Sequence, residues 1–309
     1  MPLQNFRRLV LAGIETTYGT DPTLTGSNAV KLARDLEFNP LDSDNVELDY
    51  LVGYMGNNSV LVTGQRCSLR YSVDLASSGT AGTAPAYSAM MRGCGMSELI
   101  TAGTSVVYKP ASSSFDAVTH YHFLDGQRHV VTGCRGNVMI RAAVKGLVRA
   151  QFAFQGLYNA PTGVSNPTPT VSGYQTPLPV TKDTVQTMTL HGYAGKVYDF
   201  ELDVGQEVAL DETMSSREII IGGRSTKGTI TFQEPALSDK DWYAAILAAT
   251  QAAFAFQIST TAGKIVKIDA PKVQLVNPRK GNQNGIATLQ CDLVVAPNAG
   301  NDEIVITVQ

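Results

Sequence analysis

Charged side chains are scarce in this chain. Asp, Glu, Lys and Arg make up 17% of the 309 residues, whereas a typical globular protein has about 25%. A surface with so little charge fits burial against partner molecules, although a surface rich in Ser and Thr would give the same proportion. The formal net charge of −3 argues against a nucleic-acid-binding protein, which usually carries a basic stripe.

Cysteines and long apolar runs are also few. Cys67, Cys94, Cys134 and Cys291 form no CxxC pair, so we expect free, mostly buried thiols in a protein that folds in the cytosol. No run approaches the ~20 apolar residues of a membrane span, and the apolar run Leu9–Ala12 is too short for a signal peptide. The sequence therefore predicts a soluble protein without membrane contact.

Recognisable catalytic and ligand-binding motifs are missing. The chain has no Gly-x-Ser-x-Gly elbow, no cysteine in a catalytic context, no Walker-type loop and no strand–Gly-x-Gly-x-x-Gly–helix unit. His120 and His122 share one strand face, as metal ligands could, but a zinc site needs further ligands at a recognisable spacing. We therefore predict no enzymatic activity, no metal and no cofactor.

A strand followed at once by a short helix occurs twice. Apolar and polar residues alternate over Ser68–Leu75, the period-2 pattern of a half-buried strand, and Ala84–Met91 then has a helical pattern. The same order returns in Thr229–Gln233 and Ser238–Leu247, with Ser238 as the expected N-cap. Two copies of one unit indicate an internal duplication.

Matches on either side of this unit extend the duplication over most of the chain. In chain order they are Asp35–Phe38 with Asp199–Leu202 and Val46-Glu47 with Leu210-Asp211 (199 − 35 = 164), Tyr87 with Tyr243 (243 − 87 = 156), and Ala160-Pro161 with Ala296-Pro297 (296 − 160 = 136). Falling offsets are what a duplication with insertions in the first copy produces. They place an insertion in the segment 97–133, which we expect to begin as a loop-rich stretch.

The predicted organisation has four parts. They are an N-terminal arm (1–30), a first domain (31–162), a Pro/Ser/Thr-rich linker (163–180) and a second domain (181–309). A length of 309 residues suits two domains better than one. The arm is interrupted by Gly, Asp and Pro and would gain little by lying on its own domain, and the plain alternative is a floppy terminus.

The segment 40–58 is predicted to be a long exposed loop. Its apolar residues follow no single period, and such a loop is uncommon in a compact domain unless it has a function. Its apolar side chains would form an interaction patch, whereas in the alternative interpretation they cap the domain's own core. The candidate contact residues are Leu41, Val46, Leu48, Tyr50, Leu51, Tyr54 and Met55.

The chain resembles the major tail tube proteins of long-tailed bacteriophages with noncontractile tails, in the branch with a duplicated tube domain. The resemblance is carried by Ile14–Pro22, Asn28–Val30, Leu36–Phe38 with Val46-Glu47 and Gly53–Gly56, the strand–helix unit and the closing Ala-Pro strand. It implies a mainly β fold of two tandem β-sandwich or barrel tube domains. Each domain would have one flanking short α-helix, and the chain would add an N-terminal arm and a long stacking loop.

The resemblance also implies a function. Tail tube proteins are structural virion proteins without enzymatic activity that self-assemble into stacked rings, and the resulting hollow tube lets phage DNA pass. Three chains with two tube domains each would form a trimeric ring with pseudo-sixfold symmetry, and the arm and the loop 40–58 would reach the adjacent ring. A two-domain β-sandwich binding module of a tail baseplate or adhesin is the alternative.

The partners follow from the same resemblance. They are further copies of the chain, the tape-measure protein and DNA in the lumen without specific binding, and the tail terminator and distal tail proteins. An acidic balance suits such a conduit, because repelled DNA does not adhere to the wall. The expected location is the virion tail, after assembly in the host cytoplasm.

Overall fold

The structure, a computed structural model, describes residues 3–33 and 35–309. Antiparallel strands dominate these ranges, and each half of the chain contributes one short α-helix. The predicted mainly β fold with flanking short helices is confirmed. None of the helices in the described ranges is long and apolar enough to cross a membrane.

The first half of the described chain forms nine strands and one α-helix. Its elements are β1 (Arg8–Ile14), β2 (Glu37–Glu47), β3 (Val60–Asp74), α1 (Ser88–Gly93), β4 (Met96–Thr101), β5 (Ser105–Pro110), β6 (Val118–Leu124), β7 (Gln127–Ala143), β8 (Arg149–Tyr158) and β9 (Thr162–Gly163). One turn of 3₁₀ helix, Gly26–Asn28, lies between β1 and β2.

The second half forms another nine strands and one α-helix within the described ranges. Its elements are β10 (Val185–Leu190), β11 (Val197–Asp203), β12 (Gln206–Glu212), β13 (Arg217–Arg224), β14 (Lys227–Gln233), α2 (Trp242–Leu247), β15 (Gln251–Ile258), β16 (Val266–Gln283), β17 (Ile286–Ala296) and β18 (Val305–Val308).

The same strand order occurs in both halves. The first half pairs its strands as β2-β3-β8-β7-β6-β1 and the second half as β11-β14-β17-β16-β15-β10. The two series join where β7 pairs with β11, from Met139 opposite Asp203 to Ala143 opposite Asp199. One continuous sheet, called the main sheet below, therefore runs β2-β3-β8-β7-β11-β14-β17-β16.

One face of the main sheet covers the hydrophobic core. Alternate residues of β8, such as Phe152 and Phe154, are fully buried, and each such side chain contributes about 1.5–3 kcal/mol by leaving water. The helices close the core from the other side, with Met90 and Met91 of α1 and Trp242 of α2 inside it. The four cysteines are free and buried, as predicted.

The arm does not behave as predicted. β1 pairs with β6 over its whole length, Arg8 opposite Leu124 to Ile14 opposite Val118, so this stretch lies on its own domain and is not a floppy terminus. Its apolar alternate residues gain burial in the core, which offsets the ordering cost. The first two residues of the predicted arm lie outside the described residues.

Several predicted boundaries are also wrong. Segment 40–58 is partly strand, because β2 continues to Glu47, and the predicted loop after α1 contains the β4–β5 hairpin. The first domain was predicted to begin at residue 31, and its first strand begins only at Glu37; position 34 lies outside the described residues. The N-cap of α2 is Asp241, whose carboxylate accepts a hydrogen bond from the Ala244 N–H at 2.9 Å.

Candidate assembly surfaces

A long hairpin formed by β2 and β3 extends away from the core. Its strands pair from Glu37 opposite Arg70 to Glu47 opposite Val60, with two register shifts between. At its middle the Arg66 guanidinium donates to Asp42 at 3.1 Å and to Asp44 at 3.0 Å. The hairpin is thus an ordered ribbon that carries the loop 48–59 at its tip.

The candidate contact residues lie on this hairpin and its loop, and most are exposed. Leu51 and Met55 are fully exposed, at 103% and 101% of their reference area. Leu41, Val46, Tyr50 and Tyr54 are exposed as well, and Leu48 is half-buried. These side chains do not cap the domain's own core, and that alternative interpretation is wrong for the six exposed residues.

Sequence reasoning missed a second group of exposed apolar residues on the same hairpin. Val60, Leu61 and Val62 begin β3 and are each about half exposed, as is Val52 of the loop. Three consecutive apolar residues at the start of a strand break the alternation that the rest of β3 follows. This break in the alternation is the sequence feature that could have identified these exposed residues.

A shorter hairpin of the second half, β12–β13, occupies the corresponding position in the repeat. Val46 opposes Leu61 in the first hairpin and Leu210 opposes Ile219 in the second. The predicted match of Val46-Glu47 with Leu210-Asp211 therefore makes Leu61 the counterpart of Ile219. These two counterparts differ in environment, because Leu61 is 54% exposed whereas Ile219 is completely buried.

Ile219 is buried because β12–β13 packs on the first half of the chain. The Tyr18 hydroxyl accepts a hydrogen bond from the Ile219 N–H at 2.5 Å, and the Arg135 guanidinium donates to the Ile219 carbonyl at 2.7 Å. Arg135 also stacks over the Tyr18 ring, 4.8 Å from its centroid. Burial of the Tyr18 hydroxyl raises its pKa, so it stays neutral. Two residues of the first half thus hold an edge strand of the second.

Two edges of the main sheet have no strand beside them in the described ranges. One is the outer edge of β2, which pairs only with β3, and the other is the far end of β16, which pairs only with β17 beyond Val276. The β2 edge begins with Glu37, which Asp35 precedes by two residues, and the β16 end carries Arg279 and Lys280. Unpaired edges invite pairing with another chain.

His120 and His122 pack against aromatic rings of the first half. The His122 ring stacks on Phe38 with centroids 4.3 Å apart, and His120 shares a 2.8 Å hydrogen bond with the Tyr71 hydroxyl. Burial lowers the pKa of His120 to about 3 and that of His122 to about 4. Within the described ranges no group of three or more His, Cys, Asp or Glu residues is placed to hold a metal ion.

The face of the main sheet that points away from the core, called the polar face below, forms an open groove of about 910 Å³. It is lined by Gln, Ser and Thr and by ion pairs between strands, among them Arg149–Asp74 at 2.9 Å and Arg141–Glu201 at 2.8 Å. Each charged group of these pairs is already balanced by a neighbour.

Unpaired strand edges and an apolar hairpin define a β-rich structural protein whose exposed features suit assembly. The family model described as phage tail tube protein matches residues 5–307, and the chain belongs to that family. It is thus a structural component of a phage tail, and the resemblance predicted from the sequence is confirmed. No individual curated protein matches the chain.

Proposed function

We propose that this chain builds the tail tube by repeating, between copies, the contact that β7 and β11 make within one chain. In the duplicated strand order, β11 is the counterpart of β2 and β16 is the counterpart of β7. The edges of β2 and β16 lack a partner in the described ranges. A second copy of the chain can therefore pair with each edge, and this observation carries the proposal.

The register of this contact follows from the duplicated ladders. Met139 opposes Gln151 in the first half and Arg279 opposes Gln290 in the second, so Arg279 is the counterpart of Met139. Asp203, which opposes Met139, matches Asn39 at the offset of the acidic segments (203 − 39 = 164). Asn39 of one chain would then oppose Arg279 of the next.

The charges of the two edges favour pairing of β2 with β16 of the next chain over pairing of two β2 edges. In this register Glu37 would oppose Gly281 of the next chain and lie diagonal to its Arg279, and opposite charges across strands contribute roughly 0.2–1 kcal/mol per pair. Two β2 edges would instead oppose like charges, which costs free energy and suppresses the wrong contact. The pairing is therefore head-to-tail, and such an interface closes into a ring when its rotation allows.

The hairpins divide between contacts within a ring and contacts between rings. β12–β13 packs on the first half of its own chain, so the β2–β3 hairpin would pack on the second half of the neighbouring chain, burying Val46 and Leu61. The loop 48–59 is longer than its counterpart 213–216 and would extend beyond the ring. It would carry Leu51 and Met55 to the adjacent ring. Leu48, Tyr50 and Tyr54 of the same loop would also contact that ring.

With two repeats per chain, three chains complete a ring of six repeats, and stacked rings enclose a lumen. Tape-measure protein and then DNA would occupy that lumen without specific binding. The tail terminator and distal tail proteins would cover the tube ends, and the tube would assemble in the host cytoplasm before it joins the virion. The arm would contribute less to the contact between rings than the resemblance implied, because its strand β1 already pairs with β6 of the same chain.

A disulfide cross-link tests the pairing and the ring size together. A chain carrying both Asn39→Cys and Arg279→Cys, oxidised after assembly, should form covalent dimers and trimers on a non-reducing gel, with no larger species. The native thiols are buried and add little background. Negative-stain images of the same sample should show rings or tubes with a central hole.

The matched control combines Asn39→Cys with Leu247→Cys, whose exposed position on α2 lies away from the proposed contact. This control should remain monomeric on the gel although it assembles. A ladder that continues to six chains would contradict the trimer, and equal cross-linking in the control would contradict the strand pairing. A chain that stays monomeric at high concentration would contradict assembly itself.

A further inference from the structure

Charged side chains on the polar face lie in one row across four neighbouring strands. Asp74 of β3 opposes Arg149 of β8, Arg149 opposes Arg141 of β7, and Arg141 opposes Glu201 of β11. The guanidinium of Arg149 contacts the Asp74 carboxylate at 2.9 Å, and that of Arg141 contacts Glu201 at 2.8 Å. The row therefore reads acid, base, base, acid.

The two arginines at its centre are directly opposite each other, an arrangement that is unfavourable for like charges. Each guanidinium turns to the carboxylate on its outer side, which offsets the repulsion. The same arrangement holds for Arg279, which pairs with Asp292, and for Arg70, which lies 3.9 Å from Glu37. Arg135, further along β7 on this face, instead donates to the backbone carbonyls of Ile219 and Phe115.

These pairs contribute little to folding. The Arg149 and Arg141 side chains are 49% and 61% exposed, and ion pairs at such exposed positions are typically worth less than about 1 kcal/mol. Their larger effect is on the charge that the face presents to a solute. A guanidinium that is free to move binds phosphate by two parallel hydrogen bonds, whereas one held by a carboxylate has its donors occupied and its charge balanced.

We propose that this row is a charge-neutralised lining that prevents the arginines from holding the phosphates of DNA passing along the tube. This inference rests on the proposed tube, in which the polar face borders the lumen because core and helices cover its opposite side. The arginines, together with the neighbouring Gln and Thr side chains, keep this face polar. The paired carboxylates balance the positive charge of the arginines and so remove their attraction for phosphate. The molecule that would pass along this face is a polyphosphate chain, and we expect it to bind the face only weakly.

Removing the two carboxylates should increase the affinity of the polar face for DNA. In Asp74→Asn combined with Glu201→Gln, both central arginines lose their partners while the side-chain shapes are kept. We expect the full chain to gain binding of a fluorescent DNA duplex in an anisotropy assay, before and after assembly. Two added phosphate contacts should steepen the slope of log affinity against log salt by about 2 and make binding fall about tenfold between about 50 and 200 mM salt.

The control is Asp116→Asn, which frees Arg92 in the last turn of α1. Its ion pair has the same 2.9 Å separation and a similar exposure, but α1 lies on the opposite side of the core. The inference is overturned if the double variant binds duplex no better than the wild-type chain, or if the control gains as much. Restoring neutrality with Arg141→Gln and Arg149→Gln in the double variant should abolish the gain.

The single variants Asp74→Asn and Glu201→Gln are measured as well, in case the double variant does not fold. Each of them should show about half of the change in salt slope. Tube formation is scored separately by negative stain. Absence of tubes in the wild-type protein would count against the proposed function, and the duplex-binding result on the unassembled chain would still decide the role of the paired carboxylates.

Discussion

The hydroxyl of Tyr18 and the backbone N–H of Ile219 form a 2.5 Å hydrogen bond between residues that are 201 positions apart in the chain. The bond joins the arm after β1 to the hairpin β12–β13. It thereby fixes where an edge strand of the second half lies on the first half, in the contact that we propose as the template for contacts between copies.

Replacing the tyrosine tests how much this bond contributes. Tyr18→Phe leaves the ring under Arg135 but removes the acceptor for the Ile219 N–H, and we expect a loss of about 1–3 kcal/mol in the free energy of unfolding. Urea denaturation of the unassembled chain measures it. Tyr50→Phe, in the exposed loop, is the control and should change stability by less than about 0.5 kcal/mol. Equal effects of the two variants would contradict a special role for Tyr18.

Glu15 anchors the same part of the arm from the inside. It is buried, and its carboxylate accepts hydrogen bonds from the Gly19 N–H, the Gly133 N–H and the Thr119 hydroxyl, each at 2.6 Å. Glu15→Gln places an amide donor against these donors, so we expect a loss of about 1–3 kcal/mol in a thermal or urea unfolding experiment.

The exposed Glu47 provides the comparison for this variant. Glu47→Gln removes one charge from the β2–β3 hairpin without touching a buried hydrogen bond, and it should leave the unfolding midpoint nearly unchanged. If Glu15→Gln were equally harmless, the carboxylate would not be needed to hold the arm.

The loop 48–59 can be shortened without disturbing the hairpin below it. Its counterpart in the second half connects β12 to β13 through only Thr213–Ser216. Replacing 48–59 with that four-residue turn sequence, Thr-Met-Ser-Ser, should leave the chain folded and the ring contacts intact, while rings no longer stack. Negative stain should show isolated rings where the wild-type chain gives tubes.

A point substitution in the same loop gives a finer test. Leu51→Asp with Met55→Asp should block stacking, because buried unpaired carboxylates are costly in an apolar contact. The control Met214→Asp changes an equally exposed methionine on the β12–β13 turn and should still stack. Tubes of normal length from the double variant would show that the loop does not carry the contact between rings.

The buried histidines predict a loss of stability in acid. The pKa of His122 is lowered to about 4, chiefly by burial, with smaller contributions from His129 and Arg8, whereas an unfolded histidine titrates near 6.5. As the pH falls below about 6.5, the unfolded state therefore binds the proton first. The stability is fully present above that pH and is lost progressively toward about pH 4.

Urea unfolding of the unassembled chain between pH 7 and pH 5 measures this effect. His122→Phe keeps an aromatic ring beside Phe38 and removes one titrating group, so the unfolding free energy should depend on pH less steeply, with the difference in slope approaching about 1.4 kcal/mol per pH unit toward pH 5. His120 leaves a residual slope, since its pKa is lowered as well. An unchanged slope in the variant would show that His122 does not titrate between the two states.

The closing strands show where reasoning from sequence matches loses accuracy. Phe154 of β8 and Leu293 of β17 are both buried, and their separation is odd (293 − 154 = 139). The Ala-Pro match has an even offset of 136, which would exchange buried and exposed faces, since side chains alternate along a strand. Ala160 lies two residues beyond the end of β8, whereas Ala296 is the last residue of β17, so the two Ala-Pro pairs are not at equivalent positions.

Local pattern was sufficient for some of the elements. Alternation over Ser68–Leu75 identified the second half of β3, in which Tyr71 and Val73 are buried. The irregular apolar residues of 40–58 identified a segment whose Leu51 and Met55 are exposed. These features depend on neighbours two to four residues away, which the sequence displays directly. The strand–helix repeat and the acidic match depended on the same local information compared at a distance.

Tertiary structure alone decided which strands are neighbours. The joining of β7 to β11, the contact of Tyr18 with Ile219 and the pairing of Arg141 with Glu201 link residues that are 56 to 201 positions apart. Periodicity says which face of a strand is buried but not which strand lies beside it, because that choice depends on register, loop closure and packing of the whole core.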